Sequence, residues 1–241
     1  MSRDELRPVR NSTPVLQNYG EDIWIADGPS VRFVFASLPT RMIVVKLGDG
    51  SSWINSPVAV SRETLDQIDV IGPVRYLVAP TTLHIWRLEQ WHTLFPEAQL
   101  WGPPKVPREF AHMAFAGLLE DTAPAAWARD FKQLVFRGNF FIEEAEFLHK
   151  KSRTLIVTDF IQNYRAKEGD FVGNIGKRLG CVLNGGVPLD IRLSFTERKL
   201  GRQSLGKLLS WDFDKLIIAY GACVEHDAKA FVENAFRWLS R

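Results

Sequence analysis

The stretch Arg75-Tyr76-Leu77-Val78-Ala79-Pro80-Thr81-Thr82-Leu83-His84-Ile85-Trp86-Arg87-Leu88-Glu89-Gln90-Trp91 passes from an apolar run through a polar loop into a second apolar pattern. Arg75 to Ala79 is the kind of run expected of a strand buried on both faces. Leu88 to Phe95 reads as a helix. The connecting loop is short and carries a histidine, His84, flanked by Thr81 and Arg87. A ligand-bearing loop between a buried strand and a helix is a common place for a site.

Upstream of this stretch, Ser61 can cap a helix running to about Asp69 with Leu65 and Ile68 toward the core, because its hydroxyl accepts a free N–H of the first turn. Earlier still, Ile23 to Ala26, Val31 to Ala36 and Met42 to Leu47 are rich in β-branched and aromatic residues and are broken by Gly28-Pro29 and Pro39. Asp49-Gly50 marks a hairpin turn into Ser52 to Asn55. Downstream, Leu100 to Gly102 reads as a short strand before a proline-rich loop. Phe131 to Asp159 is again strand-like, with a turn at Lys150-Lys151-Ser152 separating Ala145 to His149 from Thr154 to Thr158. Lys215 to Ala219 reads as a last strand. Ala228 to Leu239 reads as a helix whose Phe231, Val232, Ala235, Phe236 and Leu239 form one apolar stripe. Two β-rich halves, each followed by helices, imply an α+β fold in which two sheets pack face to face under helices, a four-layer αββα sandwich.

Composition agrees with one domain spanning 1–241. The 241 residues are 46% hydrophobic and 12% aromatic, enough for one large core. Thirty basic and 28 acidic residues leave a formal charge of +2, which gives no footprint of a nucleic-acid binder. No apolar run nears the ~20 residues needed to span a bilayer, and residues 1–18 lack the apolar stretch of a signal peptide. The expectation is therefore a cytoplasmic chain with neither nucleic-acid nor membrane partners. Cys181 and Cys223 fit neither a zinc knuckle nor a disulfide framework. No repeat, Gly-x-Ser-x-Gly elbow or phosphate loop is present in the sequence.

The order of these elements is similar to that of the metallo-β-lactamase-like hydrolase superfamily, from Ile23 to the C-terminal helix. Within it the chain resembles most closely a family of unknown function in which the stretch Glu146 to Leu155 leads into the Asp159 strand. The superfamily's signature is a Thr-His-x-His-x-Asp-His run after a buried strand. Here only Thr81 and His84 match it. Thr82 stands in place of the first ligand, Trp86 in place of the aspartate and Arg87 in place of the last histidine. The resemblance further puts Asn55 where an early structural carboxylate stands and Phe141 near a third histidine. It puts Asp159 at the aspartate that bridges two metals, and Tyr220 at the final ligand.

The resemblance thus implies a degenerate metal centre, and two readings stay open. In the first, His84 and Asp159 share one divalent ion, Zn, Fe or Mn, with a third donor from His149, Glu146 or His226. Such an ion brings the pKa of its water to about 7, which would make the chain a divergent hydrolase of esters, lactones or phosphoesters. In the second, the fixed charge of Arg87 repels a dication, and a metal-free, non-enzymatic module uses His84, Arg87, Asp159 and Tyr220 as a pocket for a small anionic ligand. Plain structural roles compete with both. His84 can cap the next helix, Asp159 can accept backbone N–H groups, His149 can pair with Glu146, and Arg87 can pair with Glu89 or face solvent. His92 and His112 are given no role. The segment 165–207, with nine basic and four acidic residues, reads as a lid or insertion near the cavity or as solvated surface. Eight tryptophans, among them Trp86, Trp91, Trp101 and Trp127, are core material or a surface for self-association.

Overall fold

The computed structural model describes residues 15–33, 36–59 and 61–240. Two sheets form the centre. The first contains β1 (Gln17–Gly20), β2 (Ile23–Phe33), β3 (Ala36–Lys46), β4 (Ser52–Asn55), β5 (Val74–Val78), β6 (Gln99–Gly102) and β7 (Phe115–Leu118), in that spatial order. Its pairings are antiparallel as far as β4 and parallel from β4 to β7. The second has the order β11-β10-β9-β8, built from β8 (Phe131–Phe136), β9 (Glu144–His149), β10 (Thr154–Asn163) and β11 (Lys215–Gly221). Here β8, β9 and β10 are antiparallel neighbours and β11 joins β10 in parallel.

The alternation of side chains along each strand sorts the apolar residues into three layers. On β3, Ile43 and Val45 point toward the second sheet, while Met42 and Val44 point away from it. The layer between the sheets joins Ile43, Val45, Trp53 and Val78 to Phe131, Phe147, Ile156 and Ile217. Trp53 is its hub, with ring centroids 4.6 Å from Phe131 and 5.0 Å from Phe147. Such aromatic pairs add about 0.5–1.5 kcal/mol each beyond the area they bury. The outer face of the first sheet is covered by α1 (Arg62–Ile71), α2 (Leu88–Leu94) and α3 (Lys105–Glu109) through Ile68, Leu88, Trp91 and Val106. The outer face of the second is covered by α5 (Leu189–Leu193), α6 (Arg198–Leu209) and α7 (Ala228–Ala235) through Ile191, Leu205, Leu208, Val232 and Ala235. This is the αββα sandwich expected from the order of elements.

Local details depart from the expectation, and the helix read as Ala228 to Leu239 ends at Ala235. Val31 to Ala36 is not a strand of its own, because β2 runs on through it to Phe33 and pairs back with β3, Phe33 opposite Ala36. β10 does not end at Thr158 but continues to Asn163. Two local signals hold: Ser61 caps α1 by accepting from Thr64 N, and the 150–152 turn closes the β9–β10 hairpin.

β9 contains a feature at odds with ordinary core chemistry. Glu146 is wholly buried and, among the described residues, neither carboxyl oxygen has a hydrogen-bond partner. Burial, followed by the neighbouring Glu144, holds its carboxyl well above the usual range. A carboxyl raised in the folded state favours folding below its unfolded pKa and penalises it above. Replacement Glu146→Met is therefore expected to stabilise the protein by about 1–3 kcal/mol at neutral pH. It should also make the loss of stability with rising pH shallower; urea melts of both proteins across pH measure both effects.

Candidate functional site

The ends of β5, β10 and β11 bring three separate segments of chain together. After β5 the backbone turns tightly, with His84 N donating to Thr81 O (3.2 Å) and Leu83 N to Thr81 Oγ1 (3.1 Å). This turn aims His84 back over the sheet edge. On the other side, β10 carries a bulge. Val157 pairs with Ile218, but the next pairing joins Gln162 to Tyr220, so residues 158–161 bow out of the ladder. Beyond Tyr220, Gly221 has φ +99°, and a Cβ there would lie 2.2 Å from Asn163 O, so only glycine lets β11 close against β10.

The bulge is held by Glu144. Its Oε1 accepts from Thr158 N (2.5 Å) and Thr158 Oγ1 (3.0 Å), and its Oε2 from Asp159 N (3.1 Å) and Phe160 N (2.8 Å). One buried carboxyl thus satisfies the backbone donors that the bulge removes from the sheet. Burial first, and the Asp159 carboxylate second, push the Glu144 carboxyl up to about 7 against the opposing pull of those hydrogen bonds.

The bulge presents Asp159 to three partners. Thr81 Oγ1 donates to Asp159 Oδ2 at 2.6 Å, and His84 Nε2 lies 3.3 Å from Asp159 Oδ1. Tyr220 Oη lies 3.2 Å from the same His84 nitrogen, with the two rings edge to face at 5.6 Å. All four side chains are buried. Burial disfavours the His84 imidazolium, but the adjacent Asp159 carboxylate outweighs it and raises the pKa. Burial and then Asp159 raise the Tyr220 phenol, which stays protonated.

Two cavities meet this cluster. The larger, of about 550 Å³, has Asp159, Gln162 and Tyr220 among its polar lining and walls of Leu83, Trp86, Ile142, Val182, Leu189 and Ile191. The smaller, of about 90 Å³, is lined by His84, Arg87, Tyr220, Ser56, Thr40 and Arg41 among others. Trp86 and Tyr220 border both. Arg41 is already engaged: it forms a two-pronged pair with Asp27 (2.6 and 3.1 Å) and donates to Ile218 O and Gly221 O.

A family profile described as a domain of unknown function, DUF4336, matches residues 21–174, which include His84, Glu144 and Asp159. The chain belongs to this family. No curated protein matches it. Among solved structures, the DIM-1 metallo-β-lactamase exposed to ceftazidime superposes with a TM-score of 0.63 at 13% identity, over 95% of this chain and 99% of that one. A metallo-β-lactamase from Hirschia baltica gives 0.64 at 11% identity over 95% and 99%. A diflavin flavoprotein fragment from Nostoc gives 0.66 at 10% identity over 95% and 96%. At these identities the likeness shows the metallo-β-lactamase fold and nothing of activity.

The DUF4336 chain brings His84, Asp159 and Tyr220 into one cluster and sets Arg87 beside it, where its guanidinium bonds Gln90 Oε1 at 3.5 Å rather than Glu89. It does not bring in a third metal donor. His149 pairs in register with Thr154, at the opposite end of β9 and β10 from Asp159, more than about 10 Å away by strand rise. Its Nδ1 bonds Ser152 Oγ (2.7 Å), and burial lowers its pKa to about 4. Glu146 points into the helix-covered face, and exposed His226 lies 3.8 Å from Asp214 at the start of β11. Among the described residues no three His, Cys, Asp or Glu side chains converge as a cation site. Both Asp159 oxygens already have protein partners, so the donor set does not fit a divalent ion. Phe141 lines the larger cavity. Thr81 was named from the sequence as a match to the signature but given no role, and Glu144 was not singled out, although an acid at the head of an apolar strand was the available sign for it.

Two outcomes follow from this geometry. Glu144→Gln leaves one acceptor oxygen for four donors and sets an amide NH₂ against backbone N–H groups, so it should cost about 3 kcal/mol in urea unfolding. The pH profile of stability should fall on both sides. The His84–Asp159 contact is fully present below the ordinary imidazole pKa of 6.5 and is lost as pH rises through the higher folded value, while buried His149 costs stability as pH falls from 6.5 toward about 4. His84→Gln should flatten the alkaline limb and leave the acid limb in place, as read by thermal melts across pH.

Proposed function

We propose that this protein is a metal-free small-molecule-binding member of the metallo-β-lactamase fold, taking its ligand in the cleft that the enzymes of this fold keep for metal. The observation that carries this reading is the engagement of Asp159 by protein side chains. Thr81 and His84 hold its two oxygens, while an apolar cavity of about 550 Å³ opens directly onto the same carboxylate and Tyr220. A cavity of that size suits a metabolite-sized molecule with an apolar body and a single polar end. The polar end meets Tyr220, Gln162 and Asp159, groups that recognise a hydroxyl, amide or other donor. The anionic ligand expected from the sequence belongs instead to the smaller cavity, where Arg87 and His84 face space for one small anion.

The test uses protein purified without chelator and the apolar fluorophore anilinonaphthalene sulfonate. Saturable binding, unchanged by EDTA and abolished by filling the cavity with Leu83→Trp, is expected. Saturation at a hundredfold excess over Kd should raise the unfolding free energy by about 2.7 kcal/mol. An EDTA-induced drop in melting temperature, or probe binding that Leu83→Trp leaves untouched, would contradict the reading.

A further inference from the structure

Helix α4 (Phe171–Leu179) is built inside out. Phe171, Val172, Ile175 and Leu179 fall within about 100° of one another on the helix, a continuous apolar stripe. An ordinary surface helix buries such a stripe. Here Phe171 is 77% exposed, Val172 80% and Leu179 69%, and none of the helix's residues is buried. The polar face bonds the segment that precedes the helix. Asn174 bonds both Lys167 N (2.8 Å) and Lys167 O (2.7 Å), and Lys177 Nζ donates to Arg165 O (3.3 Å). Asp170 caps the helix through Gly173 N. The chain therefore uses its polar hydrogen bonds to hold an apolar stripe in solvent.

We infer that α4 docks this protein onto an anionic lipid surface, stripe down, beside the mouth of the larger cavity. Two observations choose lipid over the other occupants of an apolar face. The first is charge. Residues 165–179, the helix and the segment leading into it, hold four basic and two acidic residues, whereas the whole chain holds 30 and 28, so the helix carries a local positive excess. Arg178 sits at the edge of the stripe and Lys167 just before the cap, where headgroup phosphates would meet them. The second is continuity with the cavity. The residues that follow α4, Gly180 and Val182, line it, and its rim exposes Trp86, Phe141 and Leu193. Exposed aromatic and aliphatic side chains around an apolar opening form a surface that an acyl layer covers. The sequence pointed away from membranes because it offers no spanning segment, and among the described residues no helix is long and apolar enough to cross one. Contact with one leaflet needs none. This inference stands on the helix and does not require the cavity to hold a ligand.

The full chain is sedimented with vesicles of phosphatidylcholine alone and of phosphatidylcholine mixed with phosphatidylglycerol. Binding to the anionic vesicles only, weakened by salt, is expected. The exposed pair Phe171→Glu with Ile175→Glu should abolish it at unchanged melting temperature, and the milder Leu179→Ser should weaken it. Lys167→Gln and Arg178→Gln should each lower the partition about fivefold. Three results overturn the inference: no binding to either vesicle, binding indifferent to the stripe variants, or a dimer in light scattering that the stripe variants split, which would make the stripe a contact between two copies.

Discussion

The Glu144 carboxyl holds the site together. It stands in the middle of a sheet, where a charge is expensive, and it is retained there by four donors from three consecutive residues of β10. Without an acceptor at that point the backbone N–H groups of 158–160 would have to rejoin the ladder with β11, and Asp159 would point along the sheet instead of into the cleft. The bulge, the placement of Asp159 and the close approach of Tyr220 after the register shift all follow from that one side chain.

What Glu144 places, Thr81, His84 and Tyr220 then satisfy. The hydrogen-bonded cluster joins the segments after β5, in β10 and at the end of β11, with His84 facing the buried Asp159 carboxylate. The larger cavity beside it is walled mainly by apolar side chains, with Asp159, Gln162 and Tyr220 on the side of the cluster and Asp190 on α5.

Much of the fold was legible because it rests on local chemistry. The apolar run at 75–79, the Ser61 cap and the β-branched run at 42–47 report strand and helix without long-range information. The convergence of His84, Asp159 and Tyr220 followed from the family resemblance rather than from spacing, since they lie on loops and strands far apart in the chain. What the sequence hid was register. His149 and Glu146 are near Asp159 in the chain, but one hairpin sends His149 to the opposite end of the sheet, and strand alternation turns Glu146 into the helical layer. Glu144 was hidden for a related reason: a bulge that needs an acid is visible only once the pairing of β10 with β11 is known. The exposed stripe of α4 was likewise unreadable, because periodicity shows that a helix has an apolar side and not which way that side faces.

The central claim is that hydrogen bonds have taken the place of a metal at Asp159. It is tested most directly by following the His84 imidazole nitrogens by NMR in chelator-stripped protein while pH is varied and then while zinc is added. The imidazole is expected to titrate above the ordinary value, with resonances that one equivalent of zinc leaves unmoved. Stoichiometric displacement of those resonances by zinc, lost in Asp159→Asn, would contradict it.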